Sequence, residues 1–177
     1  MTLELEDLQQ LANNRWYSEL PTPFQQSIVQ HARVQHYEKD QAIFYSGDRF
    51  DGIYAVLEGA VRLGYVDIEG TESIAAIVEP IMWFGEISLI DQQPRSHDAI
   101  AIQKTRILHI PDAAIHTLLA VQPKFWFHIA QLTSQKLRMA FLELISIQTQ
   151  TIRQRLALRL MLILQGYGNR ILIEKNV

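Results

Sequence analysis

The spacing of apolar residues changes twice along the chain. Near the N-terminus they recur at helical spacing as far as Trp16, and a second short helix is predicted from Phe24 to Ala32, after two prolines. Between Val34 and His109 the pattern changes to short runs rich in Val, Ile, Tyr and Phe. Beyond Pro111 the helical spacing returns. The chain is therefore predicted to contain helices, a strand-rich middle and further helices.

The strand-rich middle is divided by turn sequences. They are Ser46-Gly47-Asp48, Glu58-Gly59, Glu69-Gly70 and Gln92-Gln93-Pro94. Many short strands with such turns are typical of an antiparallel sandwich or barrel. Runs such as Ile53 to Leu57 indicate strands with one buried face. No long helix separates the strands, which argues against a parallel α/β sheet.

The longest helix is predicted to begin near Pro123 and to continue to about Thr151, after a shorter one from Asp112 to Val121. One apolar stripe consists of Leu137, Ala140, Leu144 and Ile147, and a neighbouring stripe of Phe141, Ile145 and Ile152. Two stripes indicate two partners: a second copy of the chain at the first stripe, and the chain's own strand-rich body, toward which Phe141 and Ile145 are expected to turn. A helix packed wholly within its own domain is the alternative.

A last helix is predicted from Ile152 to Gln165, ending at the glycines of Gly166-Tyr167-Gly168-Asn169. The run Ile171-Leu172-Ile173 is strand-like and has no predicted partner. The sequence is therefore expected to stop within a further module.

Composition narrows the classes of function. Hydrophobic residues make up 48% of the chain and charged residues 20%, as in folded globular proteins. The net charge of -3 lacks the basic excess of domains that hold nucleic acid through phosphates, so these residues alone should bind DNA weakly. The lack of cysteine excludes disulfides and cysteine-ligated iron–sulfur clusters. With neither a signal peptide nor a membrane span, the protein is expected to be cytoplasmic, without a membrane partner.

The segment from Trp83 to Ser96 combines groups suited to a phosphorylated sugar. Gly85 lets the backbone approach a ligand, Glu86 can accept hydrogen bonds from sugar hydroxyls, and Arg95 can pair with a phosphate through two parallel bonds. Each group alone is common in turns or on surfaces. Their combination at this spacing is specific.

This segment resembles the phosphate-binding cassette of Crp/Fnr-type transcription regulators. The family pattern is Phe-Gly-Glu, a variable pair, Leu, a turn ending in Pro, and Arg-Ser, and it matches the chain from Phe84 to Ser96. The resemblance extends upstream over residues 44–48 and 53–63. Downstream, residues 152–160 resemble the helix that opens the family's DNA-binding domain.

The resemblance implies an α+β fold, namely an antiparallel β-roll of the double-stranded β-helix or jelly-roll type with N-terminal helices and a long C-terminal dimerisation helix. It divides the chain into a cyclic nucleotide-binding-like β-roll domain with its N-terminal helices (1–122), the dimerisation helix (123–151) and the start of a truncated DNA-binding domain (152–177). DNA is then expected to bind only through a C-terminal domain that is missing here.

The resemblance also implies a function without enzymatic activity: sensing a small-molecule effector, either a cyclic nucleotide or a similar anion, and forming a homodimer. In members that bind cyclic AMP, the residue matching Glu86 holds the ribose hydroxyl, and those matching Arg95 and Ser96 hold the cyclic phosphate. The expected ligand-binding residues are Gly85, Glu86, Ile87, Ser88, Arg95, Ser96, His97 and Phe141, and the expected dimer seam is Leu137, Ala140, Leu144 and Ile147.

Three positions depart from the family pattern. His97 stands where a small residue normally follows Arg-Ser, so its bulk lies where the phosphate would sit. Ala140 and Phe141 align with the polar pair that reads the adenine base, and stacking on Phe141 is the contact that remains. Pro80 or Ile81 replaces the glycine that usually precedes the cassette.

Other functions fit parts of the pattern. A cupin-type metal enzyme would need clustered His and Glu ligands, but none of the six histidines has that spacing. A ligand-free dimerisation platform of the same fold is the main alternative, with Arg95 paired internally to Glu86 or Asp98. His97 and Asp98 are either a pH-sensitive or ligand-recognising pair, or a capped loop that fills the pocket.

Overall fold

A computed structural model describes residues 3–164 of the chain. Its N-terminal helices are α1 (Leu5–Ala12), α2 (Arg15–Ser18) and α3 (Thr22–His31). The side chain of Asn14 accepts a hydrogen bond from the backbone N–H of Tyr17 and so caps α2. Pro23 lies in the first turn of α3, where its missing N–H costs no hydrogen bond, and α3 begins two residues before the predicted start.

Eight strands form two antiparallel sheets of four strands each within the described residues. The strands are β1 (Arg33–Tyr37), β2 (Ala42–Phe44), β3 (Gly52–Glu58), β4 (Val61–Val66), β5 (Glu72–Val78), β6 (Trp83–Phe84), β7 (Asp98–Ala101) and β8 (Thr105–Pro111). Their order is β1-β8-β3-β6 in the first sheet and β2-β7-β4-β5 in the second. This arrangement confirms the predicted antiparallel β-roll.

The first sheet is covered on both faces. Tyr54 and Val56 of β3 belong to a core between the two sheets. The alternate residues Ile53, Ala55 and Leu57 belong to a second core, which is formed with the helices. The prediction that residues 53–57 have one buried face is therefore wrong, because helices cover the outer face of this sheet.

The remaining helices are α4 (Ile87–Asp91), α5 (Asp112–Val121), α6 (Phe125–Thr149) and α7 (Ile152–Leu164). Helix α5 has its predicted limits, and α6 is two residues shorter than predicted at each end. The turn predicted at residues 166–169 and the strand-like run at 171–173 lie outside the described residues. Within residues 3–164, no helix combines the length and the hydropathy that crossing a membrane requires.

Helix α6 is anchored at its N-terminal half. Phe125, Ile129 and Leu132 are buried, whereas most residues after Leu132 are partly or fully exposed. The indole Nε1 of Trp16 donates a hydrogen bond to the carbonyl of His128 at 2.6 Å. This contact ties the anchored half to α2 and, through α2, to the β-roll.

Candidate functional site

The cassette begins at Gly85, between β6 and α4. Its φ of +89° lies in the left-handed region that glycine adopts without strain. A Cβ added at Gly85 would lie 3.1 Å from Arg95 Nη1 and 3.1 Å from a ring carbon of Tyr54. A larger residue would therefore be strained and would press on the arginine.

Glu86 joins the cassette to α6. Its side chain is 1% exposed, and its Oε2 accepts a hydrogen bond from Lys136 Nζ at 2.6 Å. The other carboxylate oxygen, Oε1, is buried and has no hydrogen-bond partner among residues 3–164. One oxygen of Glu86 thus holds the helix, and the other retains its capacity to accept a hydrogen bond.

Arg95 is engaged within the protein. Its side chain is 2% exposed, Nη1 donates to the Gly85 carbonyl at 2.7 Å, and Nη2 donates to the Gly52 carbonyl at 2.8 Å. Nη2 also donates to Asp51 Oδ1 at 2.5 Å. The guanidinium lies over the ring of Phe44, 4.2 Å from its centroid, in a cation–π contact.

Asp51 is the anion that pairs with Arg95, and no sequence pattern marked it. Its Oδ2 accepts a hydrogen bond from the hydroxyl of Tyr54 at 2.5 Å. Burial, and then this hydrogen bond, raise the pKa of Tyr54 above its usual value. The predicted pairing of Arg95 with Glu86 or Asp98 is wrong, since Glu86 pairs with Lys136 and Asp98 accepts from the Ser46 backbone.

A cleft of about 250 Å³ lies between the second sheet, the cassette, α6 and α7. Most of its lining side chains are apolar, and they include Leu63, Ala76, Ile77, Met82, Met139 and Ala140. The charged side chains in its wall are Glu86, Lys136, Glu143 and Arg159. Glu143 and Arg159 form an ion pair, as do Glu86 and Lys136.

His97 lines the cleft beside these ion pairs. Its Nδ1 lies 2.9 Å from Ser96 Oγ, and its ring centroid lies 6.0 Å from that of Phe44. Burial lowers the pKa of His97 more than the neighbouring Glu86 raises it, which favours the neutral ring at pH 7. The buried Nε2 has no hydrogen-bond partner within the described residues.

The structure brings only part of the predicted site together. Gly85, Glu86, Ile87 and His97 line the cleft, together with Ala140 from the predicted dimer seam. Ser88, Arg95 and Ser96 do not line it. Phe141 is 55% exposed and does not line it either, so the prediction that Phe141 faces the β-roll is wrong. Ile145, predicted to face the same way, is 53% exposed.

The residues on the outward face of α6 are mostly apolar and recur at steps of three and four residues. These residues are Phe127, Ala130, Ser134, Leu137, Phe141 and Leu144. Two of the four predicted seam residues, Leu137 and Leu144, lie on this face. The other two, Ala140 and Ile147, line grooves toward β5 and α7. They do so because each lies about 60° around the helix axis from the seam residue three positions before it.

Lys136, Glu143 and Arg159 are further site residues that sequence reasoning missed. The available signal was periodicity: Lys136, Ala140 and Glu143 lie on one face of α6, at steps of four and three residues. No similar signal marks Arg159, which enters the cleft from α7. Within residues 3–164, His, Asp and Glu side chains form no cluster that could hold a metal ion.

Comparison with known proteins gives consistent matches. Residues 34–122, half of the chain, match the family described as cyclic nucleotide-binding domain. The cyclic AMP receptor protein of Thermus thermophilus is 35% identical over 133 residues, covering 75% of this chain and 62% of that relative. A CRP-like cAMP-activated global transcriptional regulator of Mycobacterium tuberculosis is 24% identical over 134 residues, with 76% and 60% covered.

Solved structures show the same fold. The Thermus thermophilus catabolite activator protein superposes with a TM-score of 0.63 and 29% identity, over 75% of this chain and 62% of that protein. The chain thus spans about 60% of the length of the curated relatives that it matches.

Proposed function

This chain belongs to the cyclic nucleotide-binding domain family, and we propose that it is the effector-sensing and dimerisation part of a Crp/Fnr-type bacterial transcription regulator. The observation that carries this proposal is the ion pair between Glu86 of the cassette and Lys136 of α6. It spans the wall of the cleft, so a molecule bound there contacts both the β-roll and the helix. Occupancy of the cleft can therefore change the position of α6.

The dimer is the second part of the proposal. The outward face of α6 exposes Leu137, Phe141 and Leu144 at 50% or more of their surface. The same face carries the small residues Ala130 and Ser134, which let two helices approach closely. A second copy of the chain, packed through the same face, would bury all five residues.

A ligand-free dimerisation platform is the competing function. The pairing of Arg95 with Asp51 and of Glu86 with Lys136 favours it, because each buried charge has a partner of opposite sign without a ligand.

One experiment separates the two functions. The protein is purified under native conditions, co-purified small molecules are identified by mass spectrometry, and cyclic AMP and cyclic GMP are titrated by calorimetry. A molecule that binds should slow hydrogen exchange in residues 133–149. The effect should be smaller in Lys136→Met, which has a side chain of similar length without the charge. If no molecule binds, effector sensing is wrong and the platform is the function.

A further inference from the structure

We infer that the cleft takes an uncharged, mainly apolar molecule that carries one hydrogen-bond donor. This inference rests on the proposed function, since it specifies the effector class for the same site. It departs from the anionic effector that the family resemblance implies.

The charges in the cleft wall are already balanced. Two carboxylates, Glu86 and Glu143, face two cations, Lys136 and Arg159, and each carboxylate is paired with one cation. An entering anion would lose its hydration and would have to compete with Glu86 or Glu143 for a cation. An uncharged molecule leaves both ion pairs in place.

Arg95, the residue that would hold a phosphate, does not line the cleft. Arg95 makes three hydrogen bonds within the protein, one of them to Asp51, and its side chain is 2% exposed. A phosphate would have to compete with these partners for the guanidinium.

The remaining wall favours an apolar body. Ala75 and Ala76 on β5 and Ala140 on α6 have small side chains that leave room between the strand and the helix. Ile77 and Met139 supply apolar surface on the same two sides. Burial of apolar ligand surface against these residues is the main source of affinity.

Three residues that line the cleft, Trp83, Glu86 and His97, have a buried side-chain atom without a partner within residues 3–164, and Glu86 specifies the donor. Glu86 Oε1 is buried and lacks a partner within the described part of the chain, and a carboxylate oxygen can only accept a hydrogen bond. An N–H or O–H group on the ligand would satisfy it. His97 Nε2, also buried without a partner among these residues, gives a second polar contact beside it.

The test uses two probes that differ in one charged group. N-phenyl-1-naphthylamine is uncharged and apolar with a single N–H, and 8-anilino-1-naphthalenesulfonate has the same ring system plus a sulfonate. Both are titrated by fluorescence into the full 177-residue chain. We expect saturable binding of the uncharged probe with a Kd about tenfold lower than that of the sulfonate.

Variants locate the binding and test the donor. Ala76→Phe and Ala140→Phe fill the cleft from opposite walls and should each weaken the uncharged probe about tenfold, whereas Ala120→Phe on the exposed face of α5 should not. Circular dichroism shows that each variant is folded, and two variants are used in case one is not. The ether 1-phenoxynaphthalene, which lacks the N–H, should compete about fivefold more weakly than the amine.

The possible failures can be told apart. Equal or tighter binding of the sulfonate in the cleft, or equal competition by the ether, overturns the inference. Displacement of the probe by cyclic AMP at lower concentration than the amine, lost in Ala76→Phe, also overturns it but supports the proposed function. Failure of the probes, the nucleotides and any co-purified molecule to bind overturns both.

Discussion

Both terminal nitrogens of the Arg95 guanidinium are held by the protein itself, whereas Nε has no hydrogen-bond partner within residues 3–164. Two backbone carbonyls, one carboxylate and an aromatic ring surround the guanidinium, and it is nearly inaccessible to solvent. The same residue that the cassette pattern identifies as a phosphate ligand therefore stabilises the fold here, by joining the loop before β3 to the loop before β7.

Replacement of Asp51 tests this role. Asp51→Asn leaves the buried Arg95 charge without its counter-ion, so the free energy of unfolding should fall by about 1–2 kcal/mol, less than for a fully buried pair because the Asp51 side chain is 52% exposed. Urea denaturation measures the change. Glu69→Gln, an exposed carboxylate in the β4–β5 turn, is the control and should be neutral. Equal stability of both variants would show that the two carbonyls suffice.

Two histidines, His109 buried and His97 partly buried, predict a loss of stability in acid. Burial lowers the pKa values of His97 and His109 below the usual 6.5. Below pH ~6.5 the unfolded chain therefore binds more protons than the folded chain, and the free energy of unfolding decreases as the pH falls. The contribution of these two histidines to the free energy of unfolding should be nearly constant above pH ~7.5.

Urea denaturation at several pH values checks this dependence. The double variant His97→Asn, His109→Gln should flatten the decrease between pH ~7 and ~5, whereas the exposed His36→Gln should leave it unchanged. An unaltered slope in the double variant would contradict the role of burial.

At the scale of elements, α6 presents its apolar outward face to a proposed partner. Leu144→Glu would place a charge in this contact and should weaken dimerisation roughly 100-fold, the effect of about 3 kcal/mol. Leu142→Glu introduces the same charge on another side of the same helix, at a residue that is 45% exposed. Sedimentation velocity should show monomers for the first variant and dimers for the second. The opposite result, or dimers for both, would refute this face as the interface.

The order and type of the longer elements could be predicted from spacing alone, whereas the short helices α2 and α4 could not. The turn sequences separate the strands, and the limits of α5 were found exactly where Pro111 and the apolar pattern place them. The face of α6 that contacts the β-roll could not be predicted, because both stripes are apolar. This face is identified by Lys136 and Glu143, two charged residues whose partners lie on other elements.

The site was less predictable than the fold because its ion pairs join distant parts of the chain. Arg95 and Asp51 are separated by 44 residues, and Lys136 and Glu86 by 50. The cassette pattern includes one member of each pair and gives no indication of the other. Only the packing of α6 on the β-roll brings Lys136 to Glu86.

At the scale of the whole molecule, the ion pair of Arg159 with Glu143 connects α7 to the cleft. Leu162 is the one buried residue of α7, so this helix has little apolar anchorage. Glu143→Gln should speed hydrogen exchange in residues 152–164 by about three- to tenfold. Glu58→Gln, which removes a distant surface ion pair with Arg106, is the control. Unchanged protection in Glu143→Gln would mean that this ion pair does not hold α7.

The anchoring of α6 at one end makes the helix a lever. Its fulcrum is the buried segment that ends at Leu132, the cleft meets it near Met139 and Ala140, and the arm beyond the cleft continues to Thr149. At 1.5 Å per residue the cleft lies about 11 Å from the fulcrum and the tip about 25 Å, so a displacement at the cleft is roughly doubled at the tip. A molecule that widens the cleft by ~1 Å would swing the start of α7 by ~2 Å. In the proposed sensor, the size of a bound molecule would thereby set the direction in which the following helix leaves the domain.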